Sequence, residues 1–191
     1  MNTEIIACSI LKKEIEYLIT EGFLPDKINY IDSIYHMYPQ KIQNEIDNIT
    51  KTSKSEQIII IFGDCSPYMS DIEKQQNIIR LKSTNCCEMI TGTELYKKYI
   101  KDGAFFLFPE WVEKWKDVFQ NHLGLSDENA KYLMKEFHKK LVYINTNLVE
   151  IPYNILDEIS DFTGLKYEIL NIDLSAFKEL LTKTINKAEI K

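Results

Sequence analysis

The chain predicts an α/β fold: a three-layer, doubly wound, mostly parallel sheet with helices on both faces, built as a single domain over residues 1–191, either one-lobed or bilobed. Three observations carry this. Short apolar runs alternate along the whole chain with longer stretches whose apolar residues recur at helical spacing. The run Ile58-Ile59-Ile60-Ile61 has no polar alternation, as a strand covered on both faces requires. Gly22, Gly103 and Gly164 follow helical stretches and stop them.

The first strand is read from Glu4 to Cys8, and the helix after it from Ile10 to Ile19. A second strand runs from Ile28 to Tyr35. Pro39 then suits the first turn of a helix with Ile42, Ile46 and Ile49 on one face. The isoleucine strand follows, closed by the turn chemistry of Gly63-Asp64-Cys65-Ser66-Pro67. Ser70 to Gln76 is a short helix candidate, Ile78 to Leu81 a fourth strand, and Thr93 to Ile100 a helix announced by Thr91-Gly92-Thr93. Ala104 to Phe108 is a fifth strand, and Trp111, Val112, Trp115 and Phe119 make an amphipathic helix whose tryptophans belong to the core. Asp127 to Lys140 is a helix with an acidic start and a basic end, matched to the macrodipole. A sixth strand (Leu141 to Thr146), a helix (Pro152 to Phe162), a seventh strand (Lys166 to Ile172) and a helix from Leu174 to Ile185 complete the series. Right-handed crossovers join such units.

The 191 residues carry a formal charge of −6 with no basic stripe. That balance argues against nucleic acid and acidic membrane surfaces and leaves a small-molecule or protein partner. The N-terminus has no basic region ahead of a long apolar stretch, and no apolar run approaches the ~20 residues that span a bilayer, so the chain is expected in the cytoplasm. In that compartment cysteines serve as metal ligands or redox centres more often than as disulfides. A disulfide between the neighbours Cys86 and Cys87 would be strained.

Cys8, Cys65, Cys86 and Cys87 all lie at or just beyond an apolar run, and His36 follows the second strand in the same way. If the strands are parallel, these groups meet on the rim where open α/β sheets place ligands, although linear order does not reveal sheet order. Cys8, His36, Cys65 and Cys86 are the candidate metal ligands, as a tetrahedral zinc site or as three cysteines on an iron–sulfur cluster with one iron left open. The same thiols also read as small, inert core residues, or as a reactive thiol or redox pair. His122 and His138 read as residues of solvated helical faces. Gly63 sits in a turn whose amides could cradle an anion, and Thr91-Gly92-Thr93 is either a phosphate cradle or a plain helix cap; no GxGxxG or P-loop is present. Glu14 is either an acid/base group approaching the rim or a solvated partner of Lys12 or Lys13, and residue type favours the solvated reading.

Ile6-Ala7-Cys8 with Glu14, His36 with Pro39, Gly63 with Cys65, and Cys86 with Gly92 resemble the domain-of-unknown-function family 1638. The aromatic segment before Trp111 and the strand from Tyr143 to Thr146 extend the likeness over nearly the whole chain. Cys8, His36, Cys65 and Cys86 fall on positions characteristic of that family, while Cys87 is an addition in this chain. The resemblance implies a prokaryotic, often anaerobic protein, some relatives lying beside corrinoid-dependent methyltransferase systems; it supplies no reaction. The functional expectation is a zinc or iron–sulfur protein, an enzyme or accessory factor in one-carbon or corrinoid methyl transfer. Glu14 would be the acid/base, Gly63 and Gly92 would contact the cofactor, and any corrinoid would come through a partner protein. A non-catalytic metal or cofactor carrier and a purely structural zinc are the alternatives.

Overall fold

The computed structural model describes residues 2–67, 69–72, 74, 75 and 77–189. In chain order the elements are β1 (Thr3–Cys8), α1 (Lys12–Thr20), β2 (Ile28–Ile31), α2 (Pro39–Thr52), β3 (Gln57–Ile61), α3 (Met69–Ile72), β4 (Ile78–Arg80), α4 (Cys86–Thr91) and α5 (Thr93–Lys101). Then come β5 (Ala104–Leu107), α6 (Pro109–Glu113), α7 (Ala130–Phe137), β6 (Lys140–Asn145), α8 (Tyr153–Thr163), β7 (Tyr167–Asn171) and α9 (Ser175–Glu189). All strand pairings described are parallel, so the α/β class stands. The strands divide between two sheets, one in each of two compact units. The first unit comprises the residues through Gly92 together with those from Leu174 onward; the second is Thr93–Asp173.

In the first unit the order is β2-β1-β3-β4. Ile5 to Cys8 and Ile58 to Ile61 are all within 2% of complete burial, which is why neither run alternates. Each such isoleucine contributes about 1.5–3 kcal/mol of burial. The chain leaves β1 for β2 on one side and returns to β3 on the other. Connections therefore diverge between β1 and β3, the arrangement that opens a crevice at the carboxyl ends of a parallel sheet.

Three boundaries in this unit differ from the sequence expectation. The second strand stops at Ile31 because the Asp32 carboxylate accepts the Ile34 N–H (2.9 Å) and starts a 3-10 helix over Ser33–Met37. Helix α4 was not foreseen. It is capped reciprocally: the Asn85 side chain accepts the Glu88 N–H (3.0 Å), and the Glu88 carboxylate accepts the Thr84 N–H (2.7 Å). Of the helix expected over Ser70–Gln76, α3 is present, while residues 73 and 76 lie outside those described.

The second unit orders its strands β5-β6-β7. Its core is aromatic: Trp115 packs on Phe162 (ring centroids 5.2 Å apart) and Phe119 on Phe105 (5.7 Å), in tilted and edge-on contacts. Trp115 is buried and Trp111 half-buried. A single helix through Trp111 and Phe119 was expected; the structure has α6 and then a π-helical segment, Asp117–His122. The helix expected over Asp127–Lys140 is confined to α7, because His138 turns extended and Lys140 opens β6. Neither remaining histidine is on an open, solvated face. His138 lies edge-on to Phe105 (5.0 Å), with burial lowering its pKa, and His122 sits 3.4 Å from the Asp117 carboxylate with its side chain 21% exposed. Among the described residues no helix is long and apolar enough to cross a membrane.

Candidate metal centre

Strand order decides whether the thiols meet. Cys8 is the last residue of β1, His36 lies in the 3-10 turn after β2, Cys65 in the turn after β3, and Cys86 is the first residue of α4 after β4. With β1 and β3 adjacent, β2 outside β1 and β4 outside β3, all four follow the carboxyl ends of one sheet.

One ligand atom each from Cys8, His36 and Cys86 lie within 4.8 Å of one another. These three residues could hold a metal ion. The Cys65 sulfur is 3.2 Å from His36 Nε2. His36 Nδ1 is 2.7 Å from the carbonyl oxygen of Ser33. A carbonyl can only accept, so Nδ1 carries the proton and Nε2 turns its lone pair toward the thiols, where the Cys65 S–H donates to it. Metal-ligating histidines are oriented by the same kind of bond on their outer nitrogen. The Ser33 N–H in turn donates to Ser9 Oγ (2.9 Å), pinning the loop after β2 to the loop after β1.

Gly63 permits the remaining approach. A Cβ there would stand 2.5 Å from the Asn85 Cα and 2.6 Å from the Thr84 oxygen, too close for any side chain, and the neighbouring Asp64 N–H donates to Thr84 O (2.9 Å). The bare backbone lets the segment that launches α4 close on the turn that carries Cys65. Gly92 ends α4 at φ +78°, its N–H donating to the Glu88 carbonyl (2.9 Å).

All four cysteines are reduced. Burial, and next the Cys8 sulfur, push the Cys65 thiol up to about 12, while Arg80 opposes the rise. Cys86 is driven well above the ordinary thiol range by its hydrogen bond with Cys8, by burial and by the surrounding sulfurs. Burial takes the half-buried Cys87 to about 12. Their surroundings hold Cys65 and Cys86 protonated, and a metal must displace those protons to bind there.

Glu14 occupies the first turn of α1 and is 2% exposed, so the solvated reading does not hold. A carboxylate in that turn gains from the helix dipole. Sequence reasoning also overlooked Arg80, the last residue of β4 and the one arginine among 23 basic residues. It is 8% exposed, with Nη1 2.8 Å from Asp64 Oδ1 and 3.5 Å from the Phe62 carbonyl. Its uniqueness in a lysine-rich chain was the available signal.

A family model described as "Protein of unknown function (DUF1638)" matches residues 30–181. His36, Cys65, Cys86 and Arg80 fall inside the match; Cys8 and Glu14 precede it. No curated protein and no solved structure is significantly similar to the chain.

Proposed function

We propose that this chain, which belongs to the DUF1638 family, binds one metal ion through Cys8, His36, Cys86 and Cys65 and uses it as an enzyme or accessory factor in one-carbon or corrinoid methyl transfer. The observation that carries the metal reading is the convergence of three ligand atoms within 4.8 Å, from three segments far apart in the chain. Tetrahedral zinc, with bonds of about 2.3 Å to sulfur and about 2.0 Å to nitrogen, needs its ligand atoms about 3.5–3.8 Å apart. The spacing supports a single ion over a four-iron cluster, whose cysteine sulfurs must straddle a larger body. A mixed set of thiolates and one imidazole suits zinc.

Cys8 and Cys86 are buried and His36 is oriented by Ser33, so these three are the fixed ligands. Cys65, half-buried and on a turn, is the exchangeable fourth. When bound, zinc would act as a Lewis acid at that position and lower the pKa of a thiol or water there. Glu14 is the candidate acid/base. A closed shell in which Cys65 never yields would instead be a structural zinc.

The test is metal content and zinc affinity of protein purified without oxygen. One equivalent of zinc is expected, lost in Cys86→Ser and bound more weakly in Cys65→Ser. Metal-free, folded wild-type protein that takes up no added zinc would sink the reading. Glu14→Gln should keep its zinc; in a methyl-transfer assay, activity undiminished by that change removes Glu14 from the proposal.

A further inference from the structure

A cavity of about 350 Å³ in the first unit has Asp64, Ser66, Met69, Ser70, Arg80 and Lys82 in its wall. Its volume falls at the small end of the range for small-molecule pockets. Cys65 stands in the chain between two wall residues, Asp64 and Ser66, and Arg80 is close enough for its charge to act on the Cys65 sulfur.

The wall holds two cations, Arg80 and Lys82, and one carboxylate, Asp64. Arg80 is buried and held in place by Asp64 and the Phe62 carbonyl, so its guanidinium is set before any ligand arrives. A fixed, desolvated guanidinium is the group suited to planar oxyanions, and lysine does not reproduce its geometry. One anionic charge brings the wall to neutrality, whereas a phosphate dianion would leave an excess negative charge in a partly desolvated space. Met69 and the ring of Pro67 give the cavity an apolar side.

We infer that this cavity is the substrate pocket of the proposed metal centre and that it takes a small organic anion with a single carboxylate, gripped by Arg80 and Lys82 in a wall whose Asp64 and Ser66 flank Cys65. The inference rests on the metal reading only for what the ligand meets there.

The experiment titrates zinc-loaded and chelator-treated protein with acetate, propionate and benzoate, and separately with inorganic phosphate, following backbone amide resonances. Saturable shifts are expected at Ser66, Ser70 and Lys82, with the best carboxylate binding about tenfold more tightly than phosphate. Arg80→Lys should weaken carboxylate binding about tenfold and Lys82→Gln, at an exposed position, about threefold. Unchanged affinity in Lys82→Gln, tighter binding of phosphate, or shifts confined to other residues overturns the assignment, and the lysine variant at position 82 does so even if Arg80→Lys fails to fold. In cobalt-substituted protein, carboxylate should shift the visible d–d bands; a saturated pocket with unmoved bands overturns the link to the metal. Carboxylate binding without metal uptake removes the metal function and leaves an anion site, while zinc uptake without carboxylate binding removes the pocket and leaves the metal.

Discussion

Both units end a parallel sheet in a rim of loops, and the two rims carry opposite chemistry. At the end of β6 and β7, Asn145 donates to Asn171 Oδ1 (2.7 Å) and to Asn147 Oδ1 (2.9 Å), while Asn147, at φ +60°, returns its N–H to Asn145 Oδ1 (3.1 Å). Amides both donate and accept, so this rim satisfies itself. The rim of β2-β1-β3-β4 gathers three sulfurs and an imidazole, which are weak partners for one another and strong ones for a cation. Strand order accompanies the difference. β5-β6-β7 runs in sequence order with no point where connections diverge, whereas β1 and β3 flank such a point.

The contrast breaks most sharply at Cys86. Cys86→Ser should weaken zinc binding at least about 10²-fold, one ligand's share of the roughly 10–16 kcal/mol that structural zinc supplies. Amide exchange in β5–β7 should stay unchanged, and altered protection there would show that the two rims are coupled. Gly63→Ala comes next. Its Cβ meets backbone at Asn85, so destabilisation of about 3 kcal/mol is expected by chemical denaturation, with weaker zinc binding because the Cys65 turn is forced off α4.

Glu4, near the start of β1, tests the opposite end of the same sheet. Desolvation would raise its pKa, but hydrogen bonds from Ser53, Lys27, Ser55 and Asn29 outweigh it and hold the carboxyl near 2 instead of 4.5. The stabilisation is full above about pH 4.5 and is lost as pH falls toward 2, on the order of 2 kcal/mol. Glu4→Gln should flatten that acid limb and leave zinc affinity at neutral pH untouched; a zinc defect would mean that this end of the sheet shapes the metal rim. The smallest effect belongs to the asparagine rim. Asn171→Ala should cost about 1 kcal/mol. Both tryptophans, Trp111 and Trp115, lie in the second unit, so their fluorescence should register this loss and stay blind to a local change at Gly63.

Strand identity was legible because burial on both faces removes alternation, and Ile58–Ile61 says so without a neighbour. That Cys8, His36, Cys65 and Cys86 each follow the carboxyl end of a different strand was legible for the same reason. Their meeting was not, since β2-β1-β3-β4 is fixed by contacts distant in sequence. His36 shows a local miss: Asp32 capped a turn where the apolar pattern read as strand. Helix α4 was announced by Asn85-x-x-Glu88, a capping signal that flanks the adjacent cysteines Cys86 and Cys87. Arg80 was absorbed into an apolar run, where one cation looks like strand punctuation until its partner Asp64 is found across the turn.

The first unit is discontinuous. Helix α4, whose first residue is Cys86, packs against α9, with Gly92 so placed that a Cβ would lie 3.3 Å from that of Ala176. Ribosomal synthesis therefore delivers the whole of the second unit, Thr93–Asp173, before the helix that braces Cys86 exists. Cys8, His36, Cys65 and Cys86 are all synthesised before that support. Closure of the first unit around these residues therefore waits for a segment made after the second unit, an order written into the chain.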